Sequence, residues 1–307
     1  MKEITIVTAF FDIARGDMKA YSRSNEKYIR AFKFWARIKN NIVVYSDLKT
    51  LEEVKKIRKE YKLLEKTTLI EIKDYLEIDN ELYKSIDHVM LSKQFLDFHI
   101  QRNIPEACSS KYNYIMTIKS WCCADAVEKG YAKGMVAWID FGFNYGGEYY
   151  RNEEEFDFLW EYNFSEKIHL LEVHKVNEDL PFEIIRRNDS FIQGGEIIAP
   201  DFLWAQLWSL VRKNMFALNC CGLADDDQIL YLMSYRQRPD IFELHECEWL
   251  GLFKYFGNKD FTFIPPKRSC IDILKGYVRH PFNIPVNRKF IYIIRTFVEL
   301  MKWRQKA

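Results

Sequence analysis

Hydrophobic and polar residues follow two kinds of pattern in the first part of the chain. Continuous apolar and β-branched runs, which are typical of buried strands, occur at 4–11, 41–46 and 67–72. The two segments between them, 22–38 and 51–65, carry apolar residues at helical spacing. This order of strand, helix, strand, helix and strand predicts a parallel sheet with right-handed crossovers.

The apolar run 135–139 predicts another buried strand, and it ends at Asp140, Phe141 and Gly142. An acid at the carboxyl end of a strand is how open α/β sheets place a ligand-binding group. The segment 143–147 that follows is aromatic and glycine-rich, as loops at binding sites often are. The alternative is an ordinary strand end at which the aspartate caps a turn.

The rest of the chain predicts elements of both kinds. We expect helices within 75–103 (with one interruption) and through 122–127, 153–160, 202–217 and 229–235, and strands over 168–173, 190–199 and 261–264. The segment 153–160 is acidic and is predicted to be an exposed helix. Gly194 and Gly195 interrupt the strand 190–199, and glycines at such a position let another backbone or a ligand approach closely.

Several charged residues are candidates for chemistry. Arg15, in the polar loop after the first strand, can pair with a phosphate or lie in solvent. Lys119 precedes a predicted helix and can face a phosphate near the sheet edge, or it can be a surface lysine. Asp225, Asp226 and Asp227 come just before a predicted helix, whose dipole explains one or two acids there. Because like charges repel, three in a row favour a function such as binding sugar hydroxyls, binding a cation or acting as a base.

Composition narrows the class of protein. With 307 residues, 48% of them hydrophobic and 16% aromatic, the chain can bury a large core and is not a disordered protein. A formal net charge of +1 argues against a nucleic-acid partner. Seven cysteines without a Cys-x-x-Cys motif favour reduced thiols in the cytoplasm. No uncharged apolar stretch reaches the roughly 18 residues that a membrane span needs.

The segment 287–307 mixes basic and apolar residues and predicts a basic amphipathic helix. Such a helix either lies on an anionic membrane surface or docks on the core with its basic face in water. The chain contains no P-loop, no Gly-x-Gly-x-x-Gly, no His-Glu-x-x-His and no Gly-x-Ser-x-Gly. His169 and His174 do not have metal-binding spacing on a helix and are interpreted as ordinary residues.

Several segments together resemble the bacterial HtrL/YibB family, which itself resembles glycosyltransferases of the GT-A fold. In chain order the segments are 6–13 with Arg15, 116–119, 138–144 with Gly146 and Gly147, 193–195, and 226–228. The resemblance spans roughly residues 4–250. It implies an α/β fold with a GT-A-like (Rossmann-like) mixed, mostly parallel sheet flanked by helices, followed by a C-terminal helical tail.

The predicted domain organisation follows from this resemblance. We expect a GT-A-like catalytic domain over 1–265, made of a nucleotide-binding half at about 1–150 and an acceptor half at about 151–265. The segment 266–307 is predicted to be a C-terminal extension that contains the basic amphipathic helix.

The resemblance also implies a set of site residues. A nucleotide-sugar donor is expected to contact the first strand, its loop and two later charged residues, namely Thr8, Ala9, Phe10, Arg15, Lys119 and Asp140. The acceptor or the transferred sugar is expected to contact Gln193, Gly194 and Gly195. Asp226 or Asp227 is the predicted catalytic base, which an inverting reaction needs and a retaining one does not.

Many GT-A enzymes hold Mn²⁺ or Mg²⁺ with an Asp-x-Asp motif, and Asp140 is in the matching position. Gly142 stands where the second acid is expected. One carboxylate can still bind a metal whose other ligands are phosphate oxygens and water. His280 is the predicted distant protein ligand, with an ordinary structural role as the alternative.

The implied function is glycosyl transfer, by a metal-dependent hexosyltransferase, from a nucleotide sugar (a UDP-sugar is expected) to a cell-surface glycan or lipid-linked acceptor. Lipopolysaccharide or polysaccharide assembly is the expected setting. We expect the protein in the cytoplasm or bound peripherally to the inner face of the cytoplasmic membrane. Two alternatives stay open: a non-catalytic GT-A-like binding or scaffold protein, and another nucleotide-using enzyme such as a nucleotidyltransferase.

Overall fold

The computed structural model describes residues 2–18 and 22–265, and in this part of the chain eight strands form one mixed sheet. The strands are β1 (Lys2–Phe10), β2 (Ile42–Ser46), β3 (Thr67–Glu71), β4 (Met135–Ile139), β5 (Glu161–Tyr162), β6 (Ile168–Glu172), β7 (Ile192–Pro200) and β8 (Phe242–Glu246). Their order across the sheet is β3-β2-β1-β4-β7-β6-β8, and the short β5 pairs with the start of β1.

Strands β3, β2, β1 and β4 are parallel to one another, as the opening pattern of the sequence predicts. Strand β7 runs antiparallel between β4 and β6, and β8 is parallel to β6. The predicted α/β architecture with a mixed, mostly parallel sheet is therefore confirmed. The antiparallel β7 matters for the site, because its amino end lies beside the carboxyl end of β4.

Eleven α-helices occur within the described residues. They are α1 (Asn25–Trp35), α2 (Leu48–Glu60), α3 (Asn80–Met90), α4 (Lys93–Phe98), α5 (Pro105–Cys108), α6 (Ser110–Thr117), α7 (Lys119–Glu128), α8 (Pro181–Arg187), α9 (Asp201–Cys220), α10 (Asp227–Gln237) and α11 (Leu252–Phe256). Within these residues, no helix is long and apolar enough to cross a lipid bilayer.

Helices cover both faces of the sheet. Side chains alternate between the two faces along each strand, so each strand contributes to both layers. Val7 faces one hydrophobic core, which contains the apolar sides of α3, α7, α9 and α10. Its neighbour Ile6 faces the other core, which contains α1, α2 and many aromatic residues that follow β4. This sandwiching explains why the central strands read as continuous apolar runs in the sequence.

The segment 153–160 differs from its prediction. Instead of an exposed helix, a single 3₁₀ turn spans Glu153–Phe156, and the chain then becomes irregular. Phe156 and Trp160 are fully buried in the aromatic core, where Phe156 packs against Phe253 at 5.3 Å between ring centroids. The acidic residues dominated the sequence pattern, and they concealed the two aromatic residues that anchor the segment.

Three other segments refine the predictions. The strand predicted at 190–199 continues through its two glycines, and the irregularity falls on its partner β6, between Leu170 and Leu171. The predicted strand at 261–264 is only a single bridge from Phe263 to Tyr150. The interruption expected within 75–103 lies between α3 and α4.

Candidate active site at the carboxyl edge of the sheet

The candidate site forms where β4 ends and β7 begins. The backbone N–H of Asp140, the first residue after β4, donates to the carbonyl of Gly195 at 2.8 Å. This bond places the Asp140 carboxylate against the glycine pair of β7. Two helices begin nearby, since Lys119 opens α7 and Asp227 opens α10. Four separate parts of the sequence therefore meet at one edge of the sheet.

A single lysine joins the acids of this edge. The Nζ atom of Lys119 lies 2.9 Å from Oδ1 of Asp140 and 2.7 Å from Oδ2 of Asp227. It also donates to the carbonyl of Gly194 at 3.2 Å. Burial alone would lower the pKa of Lys119, but the charges of the two aspartates raise it above its usual value. Lys119 is therefore a buried, permanently charged cation between two carboxylates.

The two glycines are required by this packing. A Cβ atom on Gly194 would lie 2.3 Å from either carboxylate oxygen of Asp227, which is much shorter than a normal van der Waals contact. A Cβ on Gly195 would lie 3.2 Å from Oδ2 of Asp140, a tighter contact than most. Glycine in a strand interior often marks such a close approach. The glycines let the carboxylates of Asp227 and Asp140 approach closely, and the predicted contact of the pair with an acceptor or sugar stays a prediction.

Asp225, Asp226 and Asp227 are nearly fully buried. Asp226 is the N-cap of α10, where its Oδ1 accepts from the Gln228 N–H at 3.0 Å and its Oδ2 from the Gln228 side chain at 2.9 Å. Burial raises the pKa of Asp226 to about 7, with a further increase from Glu106. Burial also raises the pKa of Asp227 to about 7, although Lys119 opposes the change. The two carboxyl groups thus titrate close to neutral pH.

Arg15, in the loop after β1, lies beside Tyr112 and interacts electrostatically with Glu106. Its guanidinium lies over the ring of Tyr112, 4.8 Å from the ring centroid. Burial raises the pKa of Glu106, and the positive charge of Arg15 partly offsets this. Arg15 and Glu106 therefore extend the charged cluster beyond Lys119. Glu106 and Tyr112 carried no signal in the sequence, because they lie in the short helices α5 and α6, which have no distinctive spacing.

Asp140 is the open end of the cluster, with 36% of its side chain exposed. Its Oδ1 accepts from the indole N–H of Trp138 at 2.7 Å in addition to contacting Lys119. A divalent metal ion cannot share the space between Asp140 and Asp227, since the Lys119 ammonium lies there. The other oxygen of Asp140 fits the single carboxylate ligand that Mg²⁺ or Mn²⁺ uses when phosphate oxygens complete its shell.

The remaining predicted site residues lie near this edge or outside the described residues. Gln193 is fully buried, with its amide N–H donating to Glu196 and its oxygen accepting from the Leu250 N–H at 2.8 Å. Thr8 and Phe10 are buried in β1, and Ala9 between them is partly exposed. Their contacts with a donor or acceptor stay predictions. His280 lies outside the described residues.

Fold and site define this chain as an α/β protein with a buried lysine–aspartate cluster at the carboxyl edge of its sheet. It belongs to the HtrL_YibB family, described as "Bacterial protein of unknown function (HtrL_YibB)", whose model matches residues 2–258. Protein HtrL of Escherichia coli (strain K12) is 27% identical over 272 residues, which cover 83% of this chain and 92% of that protein. The predicted family is therefore confirmed.

Among solved structures, the chain is similar to mouse xyloside xylosyltransferase 1 in its apo form, at a TM-score of 0.44 and 14% identity over 81% of this chain and 87% of that one. It is also similar to a glycosyltransferase involved in the glycosylation of the major capsid of PBCV-1, at a TM-score of 0.37 and 10% identity over 90% and 100% of the two chains. A third similar structure is the PaToxG glycosyltransferase, at a TM-score of 0.37 and 10% identity over 96% and 85%.

Proposed function

We propose that this protein is a glycosyltransferase that moves a sugar from a nucleotide sugar, a UDP-sugar in the first instance, to a glycan or lipid-linked acceptor of the cell surface. The observation that carries the proposal is the contact of Lys119 with both Asp140 and Asp227 at the carboxyl edge of the sheet. Buried charges with perturbed pKa values, brought together from separate elements, are typical of functional sites. That edge is also where open α/β sheets bind nucleotides.

A donor that carries a diphosphate would need more positive charge than Lys119 alone supplies to this cluster. Lys119 supplies one positive charge against the two carboxylates it contacts, so the three groups are net negative when both acids are ionised. Lys119 is itself almost fully buried, and its predicted contact with phosphate requires the donor to reach it past Asp140. Arg15 is partly exposed and is the second predicted phosphate ligand.

A Mn²⁺ or Mg²⁺ ion would bind through Asp140, with His280 as the second protein ligand to test. When bound, such an ion stabilises the negative charge of the leaving nucleoside diphosphate. Lys119 holds Oδ1 of Asp140 at 2.9 Å, and the Trp138 indole holds the same oxygen at 2.7 Å. These two contacts orient the carboxylate, and its other oxygen, Oδ2, would be the one to bind the ion.

In the transfer step, a hydroxyl oxygen of the acceptor forms a bond to the anomeric carbon while the bond from that carbon to the diphosphate breaks. If the reaction inverts the anomeric centre, the hydroxyl proton passes to Asp226 or Asp227. Carboxyl groups with pKa values near 7 are well matched to accepting a proton at neutral pH. If the reaction retains the configuration, the same groups position the sugar.

The proposed acceptor and location in the cell rest on the sequence of the C-terminal segment. The basic and apolar residues of 287–307 suit contact with an anionic membrane surface, where lipid-linked glycans are assembled. We therefore propose a cytoplasmic protein that binds peripherally at the inner face of the cytoplasmic membrane. Deleting 287–307 is expected to leave donor binding unchanged and to reduce binding to vesicles that contain anionic lipids.

Product analysis tests the reaction class. The full chain is incubated with nucleotide sugars labelled in both the sugar and the phosphate, together with free and lipid-linked glycans from a bacterial envelope. Transfer of the sugar label with release of the nucleoside diphosphate is the expected result. Transfer of the α-phosphate label together with the nucleoside, and without the sugar label, would instead identify a nucleotidyltransferase.

A non-catalytic binding protein is the second candidate, and Gly142 is the observation in its favour. This glycine stands where a second metal-binding acid is expected, and a Cβ there would lie 3.0 Å from the ring of Tyr28. The local packing therefore leaves little room for an acidic side chain at this position. Nucleotide-sugar binding without any transfer, across donors and acceptors, would support this candidate over the enzyme.

A further inference from the structure

A second cluster of polar side chains lies on β6 and β8, the last two strands in the order across the sheet. His169 is in β6, and Glu243 and His245 are in β8. The two strands are parallel, and His169 is paired with Glu243 in their register. Residues two apart on a strand point to the same face, so His245 lies on the side of Glu243. From its spacing to His174, His169 is predicted to be an ordinary residue; its partners Glu243 and His245 lie about 75 positions later in the chain.

The cluster is compact. Nδ1 of His169 lies 2.8 Å from Nε2 of His245, and this same nitrogen of His245 lies 3.7 Å from Oε1 of Glu243. One potential ligand atom from each residue falls within 4.8 Å of the other two. In a tetrahedral zinc site with bonds of about 2.0–2.1 Å, ligand atoms are about 3.3 Å apart. Two of the separations are within about half an ångström of this spacing, and the third, at most 4.8 Å, would shorten when an ion binds.

Neighbouring groups already orient two of the three side chains. Nε2 of His169 lies 3.0 Å from the backbone carbonyl of Ser165, an acceptor that fixes the ring proton on Nε2 and leaves the lone pair of Nδ1 directed at His245. The hydroxyl of Ser165 donates to Oε2 of Glu243 at 2.7 Å, leaving Oε1 toward His245. Metal-binding histidines and carboxylates usually have such outer partners.

We propose that His169, Glu243 and His245 bind a divalent transition-metal ion, with zinc as the first choice. Two imidazoles and one carboxylate suit zinc, whereas Mg²⁺ and Mn²⁺ prefer sets of oxygen ligands. Nearly half of the Glu243 side chain is exposed, which gives an ion a path to the site.

Such an ion would link β6 to β8. It is separate from the proposed active site, because β6 runs parallel to β4 and His169 lies near its start, whereas Asp140 follows the end of β4. The inference therefore does not depend on the proposed function. Its expected consequence is a more stable pairing of β6 with β8.

Zinc binding by the full chain tests the proposal. Cys108, Cys220 and Cys221 are exposed thiols that can also bind zinc, so all three are changed to serine in every protein compared. The parent protein is titrated with Zn²⁺ in competition with a chromophoric chelator, and one ion per chain is expected. His245→Ala and Glu243→Gln should weaken the affinity at least about tenfold. His174→Ala is the matched control, because His174 is exposed and is no part of the cluster.

Thermal melts of the same proteins add a second readout. At one zinc concentration, zinc should raise the midpoint of the parent and of His174→Ala, and it should raise that of Glu243→Gln by less, since stabilisation of the folded state grows with affinity. If His245→Ala fails to fold, Glu243→Gln alone decides the outcome. Equal zinc affinity in all the proteins, or no stoichiometric binding by the parent, would show that His169 and His245 are a hydrogen-bonded pair and no metal site.

Discussion

The Nζ atom of Lys119 lies 2.7 Å from Oδ2 of Asp227 and 2.9 Å from Oδ1 of Asp140. One buried ammonium therefore holds together the end of β4 and the start of α10. Lys119 and Asp227 are almost entirely hidden from solvent, whereas Asp140 is partly open. The arrangement gives the site a rigid interior and an exposed carboxylate at its mouth.

Replacing Lys119 with methionine should destabilise the protein by about 3–5 kcal/mol at pH 8, because a buried carboxylate is then left without its cation. The loss should shrink as the pH falls, since the Asp227 carboxyl can take up a proton instead. Urea unfolding at several pH values measures both effects. Lys129→Met is the control: Lys129 pairs with Asp125 at 2.9 Å but is half exposed, so its loss should cost at most about 1 kcal/mol. A cost below about 1 kcal/mol for Lys119→Met would contradict the assignment.

A methyl group at Gly194 should disrupt the site. The new Cβ would lie 2.3 Å from both oxygens of Asp227, which cannot move away cheaply because Lys119 holds one of them. We expect Gly194→Ala to cost at least about 2 kcal/mol in unfolding free energy, as other forced insertions into packed interiors do. Gly16→Ala is the matched control, since its Cβ would meet only ordinary contacts at 3.8 Å or more. Equal stability of the two variants in urea unfolding would count against the close packing of Gly194 on Asp227.

Replacing Asp226 with asparagine should make the protein more stable at high pH. Burial raises the pKa of the folded-state carboxyl to about 7, so the folded protein holds a proton between pH 4 and 7 that the unfolded chain releases. Wild-type stability should therefore fall as the pH rises through this range, and the asparagine variant lacks this loss. Asparagine also keeps the oxygen that accepts from the Gln228 N–H.

The advantage of Asp226→Asn over wild type should grow by roughly 1–3 kcal/mol between pH 5 and pH 8. Guanidinium unfolding at the two pH values measures it. Asp240→Asn serves as the control, because Asp240 is exposed and pairs only with Arg238 at the surface. A constant difference between Asp226→Asn and wild type over this range would mean that the Asp226 carboxyl titrates normally.

The central strands could be predicted from the sequence because they are buried on both faces. β1, β2 and β4 contain long apolar runs, whereas β3, partly exposed at the sheet edge, could be predicted from its β-branched residues. The observed bounds of all four strands lie within two residues of the predicted ones. β8 was missed, because Phe242–Glu246 contains two glutamates and a histidine and lies at the sheet edge, where polar side chains are tolerated. The tail prediction for 287–307 lies outside the described residues.

The site was only partly predictable for a different reason. Asp140 could be singled out by its place after a buried strand, and Asp226 and Asp227 by the unusual run of acids. The contact of Lys119 with Asp140 and Asp227 could not be predicted. It depends on the antiparallel direction of β7 and on the close approach of the carboxylates to Gly194 and Gly195. The bonds of the Gln193 amide to Glu196 and Leu250 could not be predicted either, and its contact with an acceptor or sugar stays a prediction.

The central claim is that Asp140 and its partners form a nucleotide-sugar site, and calorimetric titration of the full chain with a panel of UDP-, GDP- and CMP-sugars, with and without Mn²⁺, tests it most directly. We expect saturable binding of at least one donor, strengthened by Mn²⁺, and at least about tenfold weaker binding by Asp140→Asn, with Asp240→Asn unchanged. No binding across the panel, or equal affinity of wild type and Asp140→Asn, would contradict the account.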